Sequence, residues 1–383
     1  MTNLSGVIHN IARFNKCFIR LIVFSDGRFL TVIIKTVIQA KIRCGDHISF
    51  CGEFRSYKNQ PECHAINFHI RRNIKSSCKE IPASVARIND GDALSLLSLR
   101  SYAIRSIHSI LGGRNFFAVQ SPTVTSNWVR GDTKPFGLDF YGAKCYLSIS
   151  NMLYHQIMLS SGFGRIYEIG KLHRMEKPAS RERLAEFTIL DIGMTGVSLE
   201  YLMELYELVI TAIVRICREN SIPGREVIDD PSFQKIDYRV LLRACGIKDT
   251  TGSQINTTLR NYLEKNFKSF VWITGFEETT RPFYTKSLDG YCIDCQLWYR
   301  GRRYIAAGGE VERDIELIEN KIIRSGKDID RYRYYLDHLS AFSNIPKMSG
   351  IGLGLELLLK QIMLGSHASD FTWFPRYNNR IRF

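Results

Sequence analysis

Several things are missing from this sequence. No stretch of the 383 residues approaches the roughly 18 uncharged apolar residues that a membrane span requires. The opening MTNLSGVIHNIARF lacks a charged segment followed by a long apolar run, so a signal peptide is not expected and the cytoplasm is. Ten cysteines occur at irregular spacing. Cys292 and Cys295 form an isolated CxxC with no second CxxC or His pair at zinc-like spacing, which argues for reduced, structural thiols. No internal repeat and no low-complexity tract is present. Acidic residues are the scarce charge: 38 Asp+Glu face 52 Lys+Arg, a formal net charge of +14. Residues 1–95 hold 14 Lys/Arg and 7 Asp/Glu, so half the excess lies in the first quarter of the chain. A basic N-terminal segment points to a polyanionic partner, nucleic acid first, with a merely solvated face as the plainer alternative.

Hydrophobic residues make up 45% and charged residues 23%, enough apolar material for a sizeable core and for one or two domains. The runs SGVIHNIARF, CFIRLIVFSDG, FLTVIIKTVI, DHISFCGEF and CHAINFHI read as five short strands separated by turn residues. Five strands in about 75 residues suit a barrel of the oligonucleotide-binding type over residues 1–78. Arg13, Phe14, Phe18, Arg20 and Arg28 supply the mixture of basic and aromatic side chains that holds single-stranded nucleic acid. Residues 79–92 read as a polar linker. From residue 93 to 383 a larger domain begins with a helix, LSLLSLRSYAIRSIHSIL. The clearest helix is SLEYLMELYELVITAIVRICREN, with Ser198 as N-cap and Leu202, Leu205, Leu208, Val209, Ala212, Ile213 and Ile216 on one face. Strand-like runs (FGLDFYG, KCYLSIS, RIYEIGKLH, FTILDIGM, FVWITGF, CIDCQLWYR) do not alternate strictly with helices. That pattern predicts an α+β domain with an antiparallel sheet flanked by helices.

Three separated segments bear the chemistry: GGRNFFAVQSPTVT, then YEIGKLHRMEKPASRERLAEFTILDIGM, then SGIGLGLELLLKQIM followed by WFPR. In this order they resemble motifs 1, 2 and 3 of class II aminoacyl-tRNA synthetases, and more narrowly the aspartyl/asparaginyl branch. PFGLDFYGAKCYLSISNMLYHQ and AAGGE also resemble the archaeal asparagine synthetase related to asparaginyl-tRNA synthetase. The resemblance covers nearly the whole chain. It implies an oligonucleotide-binding barrel that binds tRNA, a homodimer through motif 1 (Pro122 matches its proline), and a site for ATP, Mg2+ and a carboxylic or amino acid. Activation joins a carboxylate to the α-phosphorus of ATP, and an Arg must neutralise that phosphate as charge develops. The resemblance assigns this role to Arg174, with Glu176 as the second motif 2 position. Glu186 and Phe187 match the residues that read the edge and face of adenine.

Other positions depart from the pattern. The motif 3 Arg is Leu357, which follows Gly354 and can pack on adenine but cannot hold phosphate. The Arg-His pair of the motif 2 loop is Glu182 and Arg183, with Arg181 or Arg183 as a substitute cation. The magnesium Glu is Tyr304, which leaves Asp294 as the metal carboxylate and implies a weakened Mg2+ site. Met152 stands where the family has Gln, Arg130 is the nearest match to a Glu that binds the α-amino group, and Val311 replaces an Arg, with Arg313 two residues away. Ser150, Asn151 and Gly308 complete the expected acid pocket. Three functions fit these residues: a ligase that makes an adenylate of an unusual acid for an amine, ammonia or tRNA; a non-catalytic protein binding nucleotide, tRNA or another protein; and an ordinary synthetase, which Leu357 disfavours. A site shaped for AMP or an acyl-adenylate would need neither the motif 3 charge nor the magnesium Glu.

Overall fold

The computed structural model describes residues 2–13, 18–25, 28–35, 42, 46–57, 60–71, 91–126, 134–176, 180–222, 224–247, 255–342 and 344–377. Apolar alternation folds the N-terminal segment as the sequence predicts. Strands β1 (Thr2–Arg13), β2 (Phe18–Ser25), β3 (Arg28–Lys35), β4 (His47–Tyr57) and β5 (Gln60–Arg71) close into a barrel in the order β1-β2-β3-β5-β4. The β3–β5 contact is parallel and the others are antiparallel. Leu21, Val23, Val32, Ile34 and Ile48 point inward and are fully buried, because a period of two places every second residue on the inner face. The linker expected over residues 79–92 lies outside the described residues except for its last two, which already belong to a helix.

The second unit has eight α-helices among its described residues: α1 (Gly91–Gly112), α2 (Met152–Ser160), α3 (Leu199–Glu219), α4 (Tyr238–Ala244), α5 (Thr257–Asn266), α6 (Ile315–Arg324), α7 (Arg333–Ser340) and α8 (Leu355–Ile362). They surround a sheet built from β6 (Phe117–Ala118), β7 (Arg165–His173), β8 (Glu186–Thr195), β9 (Phe233–Asp237), β10 (Phe270–Thr274), β11 (Asp294–Tyr299), β12 (Arg303–Glu310) and β13 (Met348–Gly354). Its strand order is β9-β10-β11-β12-β13-β8-β7-β6, parallel only at the two outer pairs. This is the α+β architecture expected from the sequence. No helix of the described residues is long and apolar enough to cross a membrane.

Helix α3 starts where expected, the Ser198 Oγ accepting the Tyr201 N–H at 3.3 Å. Its buried stripe is Leu199, Leu202, Met203, Leu205, Tyr206, Val209, Ile210, Ile213, Val214 and Cys217. Leu208, expected on that stripe, is 42% exposed instead, because the helix buries the arc centred on Tyr206 and Val209 and Leu208 lies beyond its edge. The stripe packs on the sheet face formed by Leu190, Ile192, Leu353 and Leu297, together with α1 and α8. The alternate residues of the same strands point to the opposite face, and the site is built there.

Candidate active site

A cavity of about 140 Å³ opens on that opposite face. Phe187, Ile189 and Asp191 come from β8 and Gly352 and Gly354 from β13, each set spaced by two residues, so these strands present core on one side and cavity on the other. A bulge opposite Leu297 and Trp298 breaks the alternation of β12, which lines the cavity with neighbouring residues such as Arg303 and Tyr304, and Gly308 and Gly309. The glycines of SGIGLG make the room. A Cβ on Gly352 would lie 2.2 Å from Asp191 Oδ1, and one on Gly350 would lie 2.7 Å from Met152 Cε.

The cavity gathers Arg174, Phe187, Gly354 and Leu357 with Ser150, Met152, Asp294, Tyr304 and Gly308. Residues that the sequence assigns to nucleotide and to acid therefore share one space. The Arg174 guanidinium lies 5.0 Å from the centre of the Phe187 ring, so cation and aromatic face are already adjacent. Glu176 stands beside Arg303, Oε1 to Nη2 at 4.0 Å. Glu186 pairs with Lys171 at 3.4 Å and His173 at 3.6 Å. His173 is the main reason its carboxyl lies at about 2; burial opposes this and Lys171 reinforces it. Leu357 is half-buried on the main core and closes one wall, and Tyr304 lines another with its ring 5.9 Å from that of Trp298.

Other expected residues stand elsewhere. Asn151 is buried outside the lining, its Oδ1 accepting the Ser148 Oγ–H at 3.2 Å. Arg183 and Arg313 are exposed and do not reach the cavity. Arg313 follows Glu312, whose Oε1 accepts the Arg313 backbone N–H at 3.0 Å. Arg130 and Phe14 lie outside the described residues, as do the side chains of Arg13 and Arg28. Phe18 is on the barrel surface, 36% exposed.

Asp294 does not present an open carboxylate. Its Oδ2 lies 2.5 Å from Arg281 Nε, and its Oδ1 accepts the Phe276 N–H at 3.0 Å. Burial pushes its carboxyl up to about 6 against the opposing pull of Arg281. The nearby Glu310 is neutralised by Lys286 at 2.7 Å and Lys347 at 3.1 Å. No group of three His, Cys, Asp or Glu side chains suited to a metal exists among the described residues. This donor set does not fit a protein-held magnesium, contrary to the expectation for Asp294. Cys292 and Cys295 are buried, with burial pushing the Cys292 thiol up to about 12.

The structure adds residues that the motifs did not single out. Arg281 stacks on Phe276, 3.8 Å from the ring centre, and lines the cavity with a buried Nη2 that has no hydrogen-bond partner among the described residues. Asp191 is 2% exposed and also lines the cavity, its Oδ2 likewise without a partner. Burial pushes Asp191 up to about 6, with His155 and Arg174 pulling down and Glu168 pushing up. Glu168 is held by His155 Nε2 at 2.8 Å and by the backbone N–H and hydroxyl of Ser121. The signal for Asp191 was a lone acid inside the apolar strand FTILDIGM; for Arg281 it was the RPFYTK segment.

The chain is similar to known proteins over most of its length. Over 313 residues the chain is 28% identical to the aspartate–tRNA(Asp/Asn) ligase of Methanopyrus kandleri, covering 79% of this chain and 72% of that protein. It is 25% identical over 314 residues to the asparagine–tRNA ligase of Lactococcus lactis subsp. cremoris, covering 76% and 69%. The crystal structure of asparaginyl-tRNA synthetase from Pyrococcus horikoshii complexed with asparaginyl-adenylate superposes with a TM-score of 0.81 at 20% identity, over 99% of this chain and 95% of that one. The model of tRNA synthetases class II (D, K and N) matches residues 82–378, and the chain belongs to that family.

Proposed function

We propose that this chain is an ATP-dependent ligase that activates a carboxylic or amino acid as an acyl-adenylate. The observation that supports it is the shared cavity, which brings Arg174 over Phe187 together with Ser150, Met152, Asp191 and Arg281. Adenine stacks on Phe187. The acid's carboxylate oxygen attacks the α-phosphorus, the bond to the bridging oxygen breaks, and pyrophosphate leaves, with Arg174 neutralising the charge that develops on the α-phosphate. The adenylate then passes to an amine, ammonia or tRNA, the last guided by the basic barrel and Phe18. The protein works as a homodimer through the segment around Pro122. ATP–pyrophosphate exchange over a panel of amino and carboxylic acids tests the reading. Exchange with one acid supports it; silence with every acid at high magnesium overturns it.

A second reading rests on Leu357 and Tyr304, which place uncharged side chains on the cavity wall where the family has Arg and Glu. The protein would then bind AMP, an adenylate, tRNA or a protein partner without chemistry. Calorimetry with AMP and magnesium-ATP side by side separates the two, since clearly tighter ATP binding is incompatible with a site shaped for AMP.

A further inference from the structure

Three carboxylates line the cavity: Asp191, Asp294 and Glu310. Two of them are committed to protein cations. Asp294 faces Arg281, and Glu310 faces Lys286 and Lys347. Asp191 is 2% exposed, and its Oδ2 has no hydrogen-bond partner among the described residues. His155 does not satisfy it, because its Nε2 is held by Glu168 at 2.8 Å. A bare buried carboxylate oxygen is unfavourable, and the cost is recovered when a cationic donor enters. Arg174 is near enough to pull the Asp191 carboxyl down, while its guanidinium lies over Phe187. The bare oxygen thus stands near the cation assigned to the α-phosphate, and the reacting carbonyl of an acyl-adenylate is one bridging oxygen away from that phosphorus.

We infer that Asp191 holds the nitrogen acceptor of the second half-reaction, an ammonium ion or a small primary ammonium, and takes a proton from it. The inference rests on the adenylate reading and narrows its acceptor to a small amine. The ammonium gives one proton to Asp191, and the freed lone pair attacks the acyl carbon. The bond from that carbon to the AMP oxygen breaks, its electron pair leaves with AMP, and a second proton passes from nitrogen to solvent. Burial opposite Glu168 raises the proton affinity of Asp191 above that of an exposed carboxylate, which suits a base. A tRNA end would offer an uncharged hydroxyl, which calls for no buried counter-ion.

The test compares both half-reactions in the full chain. ATP–pyrophosphate exchange reads the first. Amide formed from the same acid with ammonium chloride or methylamine, measured by mass, reads the second. The unaltered chain should form amide, and Asp191→Asn should lower that rate about a hundredfold more than it lowers exchange. Asp191→Ser, which also removes the charge, should show the same split, and urea unfolding of both variants checks that the fold is intact. Hydroxylamine is uncharged at neutral pH and needs neither counter-ion nor base, so hydroxamate formation should fall no further than exchange does. If exchange falls as far as amide formation, Asp191 serves the acid and the inference is wrong. Exchange without amide from either amine overturns the inference and leaves the adenylate reading standing. Silence in exchange with every acid removes both.

Discussion

Asp191 and Glu168 stand directly opposite each other in the β7–β8 ladder, and both are buried. Two carboxylates so placed cannot both ionise cheaply. Glu168 has His155 and Ser121 to stabilise its charge; Asp191 has an unpartnered oxygen on the cavity. The asymmetry decides which acid gives way: Glu168 lies below its usual range although burial works to raise it, and Asp191 is pushed up to about 6 by burial.

The pH dependence follows. Between the unfolded value of about 4 and the folded value of about 6, the native state holds a proton on Asp191 that the unfolded chain has lost. Stability therefore falls as pH rises through that window, by about 3 kcal/mol, and the loss is complete above it. Asp294, also near 6, adds a loss of the same sign. Asp191→Asn should halve the decline between pH 4 and 6 and raise stability at pH 7. Urea unfolding at pH 4.5 and pH 7 checks this; an unchanged slope in the variant would contradict it.

Removing Arg281 leaves Asp294 buried against Phe276 without its cation. Arg281→Ala should cost about 3–5 kcal/mol at pH 7, as breaking one side of a buried pair does. Adding Asp294→Asn should recover part of that cost. The coupling energy from the four urea midpoints measures it.

Gly352→Ala puts a methyl 2.2 Å from Asp191 Oδ1 and 2.9 Å from Ile189 Cδ1. Overpacking of this kind costs about 1–3 kcal/mol. Its larger effect should be on ligand binding, because the cavity floor is filled. Leu353→Ala, on the other face of the same strand, should cost about 2–5 kcal/mol through a core void while leaving the cavity lining in place. Comparing thermal stability with nucleotide affinity in the two variants separates the faces.

Arg174→Ala should lower pyrophosphate exchange by at least about a hundredfold if its charge acts only as the transition state forms. Urea unfolding of the same variant separates lost chemistry from a lost fold. A normal exchange rate in the variant would remove Arg174 from the reaction.

On the barrel, Phe18→Ala should weaken single-stranded RNA binding by about 1–3 kcal/mol, one stacked base, and binding by the unaltered chain should fall steeply with salt. Filter binding at two ionic strengths reads both.

By itself the sequence determined the local patterns. Alternating apolar residues specified the barrel strands, Ser198 the start of α3, and the order of three motifs the family and one side of the site, because these depend on neighbours a few residues apart. The resemblance also implied that charges of the family are missing at Leu357, Tyr304 and Val311. Only the tertiary structure decided which charged groups meet. Arg281 and Asp294 are 13 positions apart, Glu310 and Lys347 far more, and no periodicity joins them. Asp294 reads as a metal ligand in one dimension and as half of a buried ion pair in three. Leu208 reads as core until the packing of α3 on the sheet sets which arc is covered. Spacing reveals what a residue can do; burial and the partner brought by a distant strand determine what it does.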